Sequence, residues 1–247
     1  MNLKNKKEVN ETWSIIPARS NSKSIRSKNL QKISNKTLIQ HAIIVSKKTK
    51  LIKRTFVSTE KKSILNKSIR WGSEKIELRN KKFARDSATD FDVVKDFLTT
   101  WLKRSSIYPK YLILLRPTTP LRNFKLLNNA IKKFRKLKSY NSMLTVSKMP
   151  EPAFKKLMIR KRKLYPILKK MKLDDANRPR QFFNSTYSGN GYLDIIKTKN
   201  IFNGSYLGKN CFPLIIKAAI DIDTKEDLIL ARLIFKNKSK FSKSYEV

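Results

Sequence analysis

Between Trp13 and Leu137 short apolar runs alternate with longer stretches whose apolar residues recur at helical spacing. That order admits few folds other than a parallel sheet with crossover helices. Trp13–Ile16 reads as the first strand, ended by Pro17, and Arg54–Ser58 as the second. "YLILL", Tyr111–Leu115, is continuous and apolar, as a central parallel strand is, and "SMLTV" follows as another. The helices between them read as Thr37–Lys48, "EKKSILNKSIRWG" stopped by Gly72, "TDFDVVKDFLTTWL" and Phe124–Leu137. The third of these opens with Thr89 and Asp92 in a capping pattern and sets Val93, Val94, Phe97, Leu98 and Trp101 on one face. After Pro150 the pattern loosens, so about 150–212 reads as an insertion that partly leaves the main sheet. Order returns in "LIIKAAIDIDTKEDLILARLIF", read as a strand, an acidic turn and a final helix. We therefore expect a basic extension over 1–12 and a single α/β domain over 13–247, with a mixed, mostly parallel sheet and helices on both faces.

Charge narrows function less than it first suggests. The 247 residues carry a formal +39, which fits a polyanion partner such as nucleic acid, an acidic surface or phosphate-rich small molecules. It equally fits lysine spread over every segment, and that spread makes nucleic acid the less expected partner. Hydrophobic residues at 40% exclude wholesale disorder. Cys211 stands alone, which excludes a disulfide framework or a cysteine-rich zinc site and suits a reducing cytoplasm. "MNLKNKKEVNETW" lacks the apolar stretch of a signal peptide, and no apolar run reaches membrane-spanning length, so a cytoplasmic protein without membrane contact is expected. His41, the one histidine, lies in "LIQHAIIV" as a helix position, which argues against a histidine-based triad.

In an open α/β sheet ligands bind at the carboxyl ends of the strands. Polar motifs fall at such ends: "PARSNSKSIRSKN", "ARDSATD", "RPTTPLR" and "DIDTKED". The first holds Arg19, Lys23, Arg26 and Lys28 among serines and Asn21, donors suited to a triphosphate. It matches neither the Walker loop nor the dinucleotide fingerprint, and its residues alone leave a phosphate loop and a polar turn both open. Asp221 and Asp223, two apart, share one face of an extended segment and suit a Mg²⁺ held jointly with phosphate oxygens. Alternatively, Asp223 caps the helix that begins near Lys225, with Asp227 in its first turn.

These motifs, in order, resemble those of the acylneuraminate (CMP-sialic acid) cytidylyltransferases. "IIPARSNSKSIRSKNL" resembles their signature loop, and "ARDSATDFDVV" the segment before a helix. "LLRPTTPLR" resembles their Gln-Pro-Thr-Ser-Pro-Leu-Arg motif, "RPRQ" with "GNG" their Arg-Gln and Asn-Gly segments, and "AIDIDTKEDL" their Asp-Ile-Asp-Thr ending. The similarity spans about Trp13 to Ile234. It implies a Rossmann-like nucleotide-diphospho-sugar transferase fold that dimerises through the 150–212 insertion. The implied reaction transfers CMP from CTP to the anomeric hydroxyl of a nonulosonic acid, with Mg²⁺ and release of pyrophosphate, for surface glycan synthesis. Carried over by position, Arg19 and Lys28 hold the triphosphate with Lys23 assisting, while Ala18, Asn29, Arg79 and Ser87 contact nucleotide. Asp221 and Asp223 bind metal, Arg180 lies near the sugar or transferred phosphate, and Lys155, Tyr187, Asn190 and Gly191 line the sugar side. No general base is identified by the motifs; Asp223 or a metal-bound hydroxide are the options. A related transferase with another acceptor or nucleotide, or a nucleic-acid-binding protein on the same fold, are the alternatives.

The chain departs from that pattern in three places. Arg116 stands where the family usually has Gln, and Ser188 where many members have Arg. Together these suggest that Arg116 replaces the lost charge and meets the acceptor carboxylate on the sugar side. The signature loop also lacks glycine, and Asn21, tolerant of positive φ, is expected to supply its turn.

Overall fold

The computed structural model describes residue 3 and residues 5–246 of the chain. The first strand, β1 (Lys7–Pro17), runs through the core with Trp13, Ile15 and Ile16 completely buried. Its successive side chains face opposite layers, so Trp13 and Ile15 join one core cluster and Ile16 the other. Ser14, also buried, hydrogen-bonds the Ser46 hydroxyl at 2.6 Å, which leaves neither group unpaired. A short ribbon, β2 (Lys32–Ile33) and β3 (Lys36–Thr37), leads into α1 (Leu38–Lys48), and β4 (Ile52–Ser58) into α2 (Lys62–Arg70). Then come α3 (Asp90–Leu102), β5 (Ile107–Leu114), α4 (Phe124–Lys136) and β6 (Ser142–Lys148). The hairpin β7 (Leu157–Arg160) and β8 (Lys163–Pro166) precedes β9 (Tyr187–Lys197), α5 (Thr198–Phe202), β10 (Cys211–Ile215), α6 (Lys225–Lys236) and α7 (Lys238–Phe241).

Six strands form one sheet in the order β10-β6-β9-β5-β1-β4. All pair in parallel except β9, which is antiparallel to both β5 and β6. The hydrophobic faces of α1 and α4 cover one side; α3 and α5 cover the other around Trp13, Phe56 and Trp101. A third cluster joins Ile25 and Ile33 to Ile222 and α6, so the loop after β1 is packed against the end of the chain. Each of α1, α3 and α6 starts with a reciprocal capping box, Thr37 with Gln40, Thr89 with Asp92 and Thr224 with Asp227.

Four sequence readings change. The first strand starts at Lys7 rather than Trp13, and Lys7–Val9 pair with Ile107–Pro109, so half of the expected 1–12 extension belongs to the sheet. Residues 1, 2 and 4 of that extension lie outside the described residues. The excursion ends before Tyr187 rather than at 212, because "YSGNGYLDII" enters the middle of the sheet as β9. Its polar first half and Asp194 conceal an otherwise buried strand. The last strand ends at Ile215, so Asp221 and Asp223 lie on an irregular segment beyond it. Ser27 at φ 50°, not Asn21, takes the left-handed conformation of the signature loop, at the entrance to the short helical turn Lys28–Leu30.

The polarity of β9 shapes the site. Because it runs against its neighbours, its first half comes to the edge where β1, β4 and β5 end. Gly191 thereby meets the segments that follow β5 and β10, at Thr119 and Asp221, while Asn190 is held against Ser147 of β6.

Candidate active site

A cavity of about 300 Å³ opens at that edge, walled by Arg19, Lys28 and Asn29, by Arg79, Arg85, Asp86 and Asp90, by Arg116 to Thr118, and by Asp223. Four separate sequence motifs thus reach one place. The Asn29 amide donates to the Arg19 carbonyl at 2.9 Å and so closes the signature loop on itself. At the other end of the loop the Ser20 amide donates to Glu60 at 2.7 Å, and Arg79 pairs with the same carboxylate at 3.3 Å. Burial on its own raises the Glu60 pKa, but the Ser20 and Arg79 bonds outweigh it and hold the carboxyl below its usual range. Burial lowers the Arg79 pKa, with Glu60 opposing.

The phosphate-type cations are already paired with carboxylates. Arg19 and Lys23 take one oxygen each of Asp86, Lys23 at 2.7 Å, and these hydrogen bonds depress its pKa. Lys28, its side chain nearly buried, reaches Asp223 at 3.0 Å and the Ile222 carbonyl at 2.9 Å. The helix after this segment is capped by Thr224, with Asp227 completing the box, so Asp223 is left to Lys28.

Ile222 is buried in the third cluster, which turns Asp221 and Asp223 the other way. Thr119 donates to Asp221 at 3.4 Å, and Gly191 lies against both: a Cβ there would meet the Thr119 hydroxyl at 3.1 Å and Asp221 at 3.2 Å. Gly191 has φ 65°, so the close approach and the backbone both call for glycine. The Asp223 side chain is 77% exposed. Two carboxylates, one open to solvent beside phosphate-type cations, form a donor set that fits Mg²⁺ shared with a phosphate. Among the described residues no group of three or more His, Cys, Asp and Glu converges as a closed metal site.

Arg122 holds the floor. Its guanidinium donates to the carbonyls of Tyr192 at 2.6 Å, Arg116 at 2.9 Å and Gly191 at 3.1 Å, and to that of Thr119. It thus ties the "RPTTPLR" turn to β9. Burial brings its pKa down to about 10, since its contacts are carbonyl dipoles rather than a carboxylate.

Arg116 does not stand as the free cation expected from the sequence. Its Nη2 donates to Asp194 at 2.7 Å and to Asp90, and the Tyr206 hydroxyl donates to the same Asp194 oxygen at 3.0 Å. Burial alone lowers its pKa; Asp194 and Asp90 overcome this and hold it above the ordinary arginine value. The charge introduced at 116 is therefore answered from within the chain. Asp194, buried in β9, Asp90, Asp86, Glu60, Arg85 and Arg122 were missed as site residues by sequence reasoning. An aspartate inside an otherwise apolar run was the available signal for Asp194.

The structure brings Arg19, Lys28, Asn29, Arg79, Arg116 and Asp223 to the cavity wall, with Asp221 and Gly191 beside it. Ala18 is wholly buried and anchors the loop through its amide to Ser58 at 2.9 Å. Lys23 and Ser87 are exposed and off the wall, Lys23 reaching inward only through Asp86. Asn190 is buried and braces β9 against Ser147 at 2.8 Å. Arg180, Lys155 and Tyr187 are not on this wall. Arg180 lines a separate cavity of about 620 Å³ with Lys148, Pro152 and Phe183; Lys155 donates to the Arg178 carbonyl at 2.8 Å; Tyr187 pairs with Lys148. The excursion after β6 carries the first two away from the strand ends. His41 is a helix residue bonded to the Ile33 carbonyl at 3.1 Å, as its setting suggested.

The family model described as Cytidylyltransferase matches residues 13–167. The flagellin post-translational modification protein B of Campylobacter coli is 27% identical over 96% of this chain and all of its own. The N-acylneuraminate cytidylyltransferase of Escherichia coli is 27% identical over 92% of this chain, which spans 52% of that protein's length. In three dimensions the chain is similar to a CMP:2-keto-3-deoxy-manno-octonic acid synthetase complexed with CTP. The TM-score is 0.66 at 15% identity, over 92% of this chain and 99% of that one, a likeness of fold.

Proposed function

The chain belongs to the cytidylyltransferase family, and from that premise we propose that it transfers CMP from CTP to the anomeric hydroxyl of a nonulosonic, sialic-type acid, releasing pyrophosphate. The observation that carries the reading is the convergence of the signature loop, the "RPTTPLR" turn and the "DID" segment at one edge of the sheet, each with its polar side chains toward one cavity or beside it. The name of the Escherichia coli relative supports the class of acceptor.

In this reading Arg19 and Lys28 receive the triphosphate. Each exchanges a carboxylate, Asp86 or Asp223, for phosphate oxygens, and Arg19 offers two parallel donors. Asn29 and Glu60 keep the loop in place during that exchange. Asp221 and Asp223 would hold Mg²⁺, which supplies charge neutralisation to the phosphates in such transfers. Arg122 fixes the Thr119 and Gly191 backbone against which Asp221 rests, so positioning comes from a rigid floor. No histidine or cysteine nucleophile is needed, since this transfer depends on positioning and neutralisation of charge. The large exposed apolar residues Ile159, Leu164, Tyr165 and Phe182, on the excursion that also carries Arg180, support a homodimer formed there. The setting is cytoplasmic, and the activated acid serves surface glycan synthesis.

The test is pyrophosphate release with CTP, Mg²⁺ and a panel of sialic, legionaminic and pseudaminic acids. Release with at least one acid is expected. Release with none of them overturns the proposal.

A further inference from the structure

On the cytidylyltransferase reading the cavity has a second wall with a charge the phosphates do not need. Arg116 contributes one positive charge and already holds two carboxylates, Asp90 and Asp194, both on its Nη2, with the Arg122 guanidinium beside them. Asp194 is buried and its contacting oxygen is shared between Arg116 and the Tyr206 hydroxyl. Asp90 meets Arg116 through Oδ2 only, lines the cavity, and keeps 36% of its side chain exposed. We propose that Asp90 is a specificity-determining residue that accepts a hydrogen bond from a substrate hydroxyl, and that Arg116 and Asp194 position it.

The pairing of Arg116 argues for this over the role first expected of it. An acceptor carboxylate bound here would be the third on one guanidinium. A hydroxyl hydrogen is what an exposed carboxylate oxygen takes, in a charge-assisted bond. Asp90 is also held still. It begins α3, whose N-terminus is capped by Thr89 and Asp92, so the Asp90 carboxylate is not needed as the cap and turns to Arg116. Arg116 stands two residues past the end of β5, and Val93 and Val94, one turn on from Asp90, are buried. The hydroxyl belongs either to the ribose of CTP or to the sugar acid, two sources of the same chemistry.

Both sources are tested with Asp90→Asn, which keeps shape and removes charge. Equilibrium binding of CTP and of 2′-deoxy- and 3′-deoxy-CTP is measured on wild type and variant, with kcat and KM for the acid wherever an acid is turned over. If the ribose is read, the wild-type preference for CTP over one deoxynucleotide falls about tenfold in the variant, the usual gap between a charged and a neutral acceptor. If the acid is read, its KM rises by about the same factor and ribose discrimination stays. Unchanged discrimination with an unchanged acid KM overturns the proposal, and so does a lowered acid KM, the sign expected if Arg116 had been released to bind a carboxylate. Arg116→Lys, which cannot hold both aspartates in the same plane, is expected to move the same readout in the same direction. Absence of turnover with every acid is a failure of the acceptor reading, and the nucleotide arm then decides alone.

Discussion

Asp194→Asn in β9 removes one carboxylate from Arg116 and replaces the charged acceptor of the Tyr206 hydroxyl bond with a neutral one. Breaking a buried pair by changing one partner costs about 3–5 kcal/mol when the survivor is left alone. Here Asp90 remains on the same Nη2, and the Arg116 side chain is 24% exposed, so water can reach it. Asparagine still accepts from Tyr206. The expected loss is therefore about 2 kcal/mol, or a fall in Tm of roughly 4–8 °C for a chain of this size. Arg116→Gln alone leaves Asp194 buried and paired only with Tyr206, with a loss of similar size. In the double variant the two neutral amides face each other, and the cost should be smaller than the sum by at least roughly 1 kcal/mol. Urea unfolding of wild type, both single variants and the double variant measures this coupling. Additive losses would refute the claim that Arg116 is answered by Asp194, and would return it to the role of a free cation.

Gly191→Ala forces a β-carbon onto a residue at φ 65° and against Thr119 and Asp221. We expect about 1–2 kcal/mol of lost stability in urea unfolding, and a fall of at least about tenfold in kcat/KM through the displaced Asp221. Unchanged kinetics would separate Asp221 from the reaction. The Glu60 pKa is lowered on folding, so its bonds to Ser20 and Arg79 stabilise the protein above the ordinary glutamate range, and that stability is lost as pH falls through the folded value. The stability gap between wild type and Glu60→Gln should accordingly be full at neutral pH and shrink below roughly pH 4.5; a gap that widens on acidification would contradict it.

The elements that periodicity could reach were legible. α3 is capped at Thr89 and buries the expected face, and the apolar run Tyr111–Leu115 is buried along and just past β5. What periodicity could not reach was β9, since Asn190 and Asp194 are buried polar residues whose partners lie outside the strand, Ser147 and Arg116 far off in sequence and Tyr206 beyond the next helix. A pattern of single residues carries no information on such pairs. The same reason explains Arg116: its departure from the family pattern was visible, while its answering carboxylate was a strand away. Arg180 and Lys155 show the opposite limit, because motif order gives collinearity but not distance.

The arrangement of acidic residues sharpens this. In a chain with 57 Lys and Arg against 18 Asp and Glu, a carboxylate is the scarce group, and a surface distribution would scatter it. Six of the 18, Glu60, Asp86, Asp90, Asp194, Asp221 and Asp223, nevertheless stand at or beside one cavity, three of them on its wall and most of them on a named cation. Five cations on a wall without counter-charge would repel one another and leave the loop after β1 splayed. Pairing holds Arg19, Lys28, Arg79 and Arg116 in position, and on the proposed reading a triphosphate has to displace Asp86 and Asp223 rather than fill an empty site. On that reading binding would be an exchange of one anion for another, its strength set by the phosphate being the better ligand: more oxygens, more charge, and a two-point fit to Arg19 that a single carboxylate oxygen does not offer. On the same reading the +39 net charge would draw the anion in, and the local aspartates would decide what it finds there.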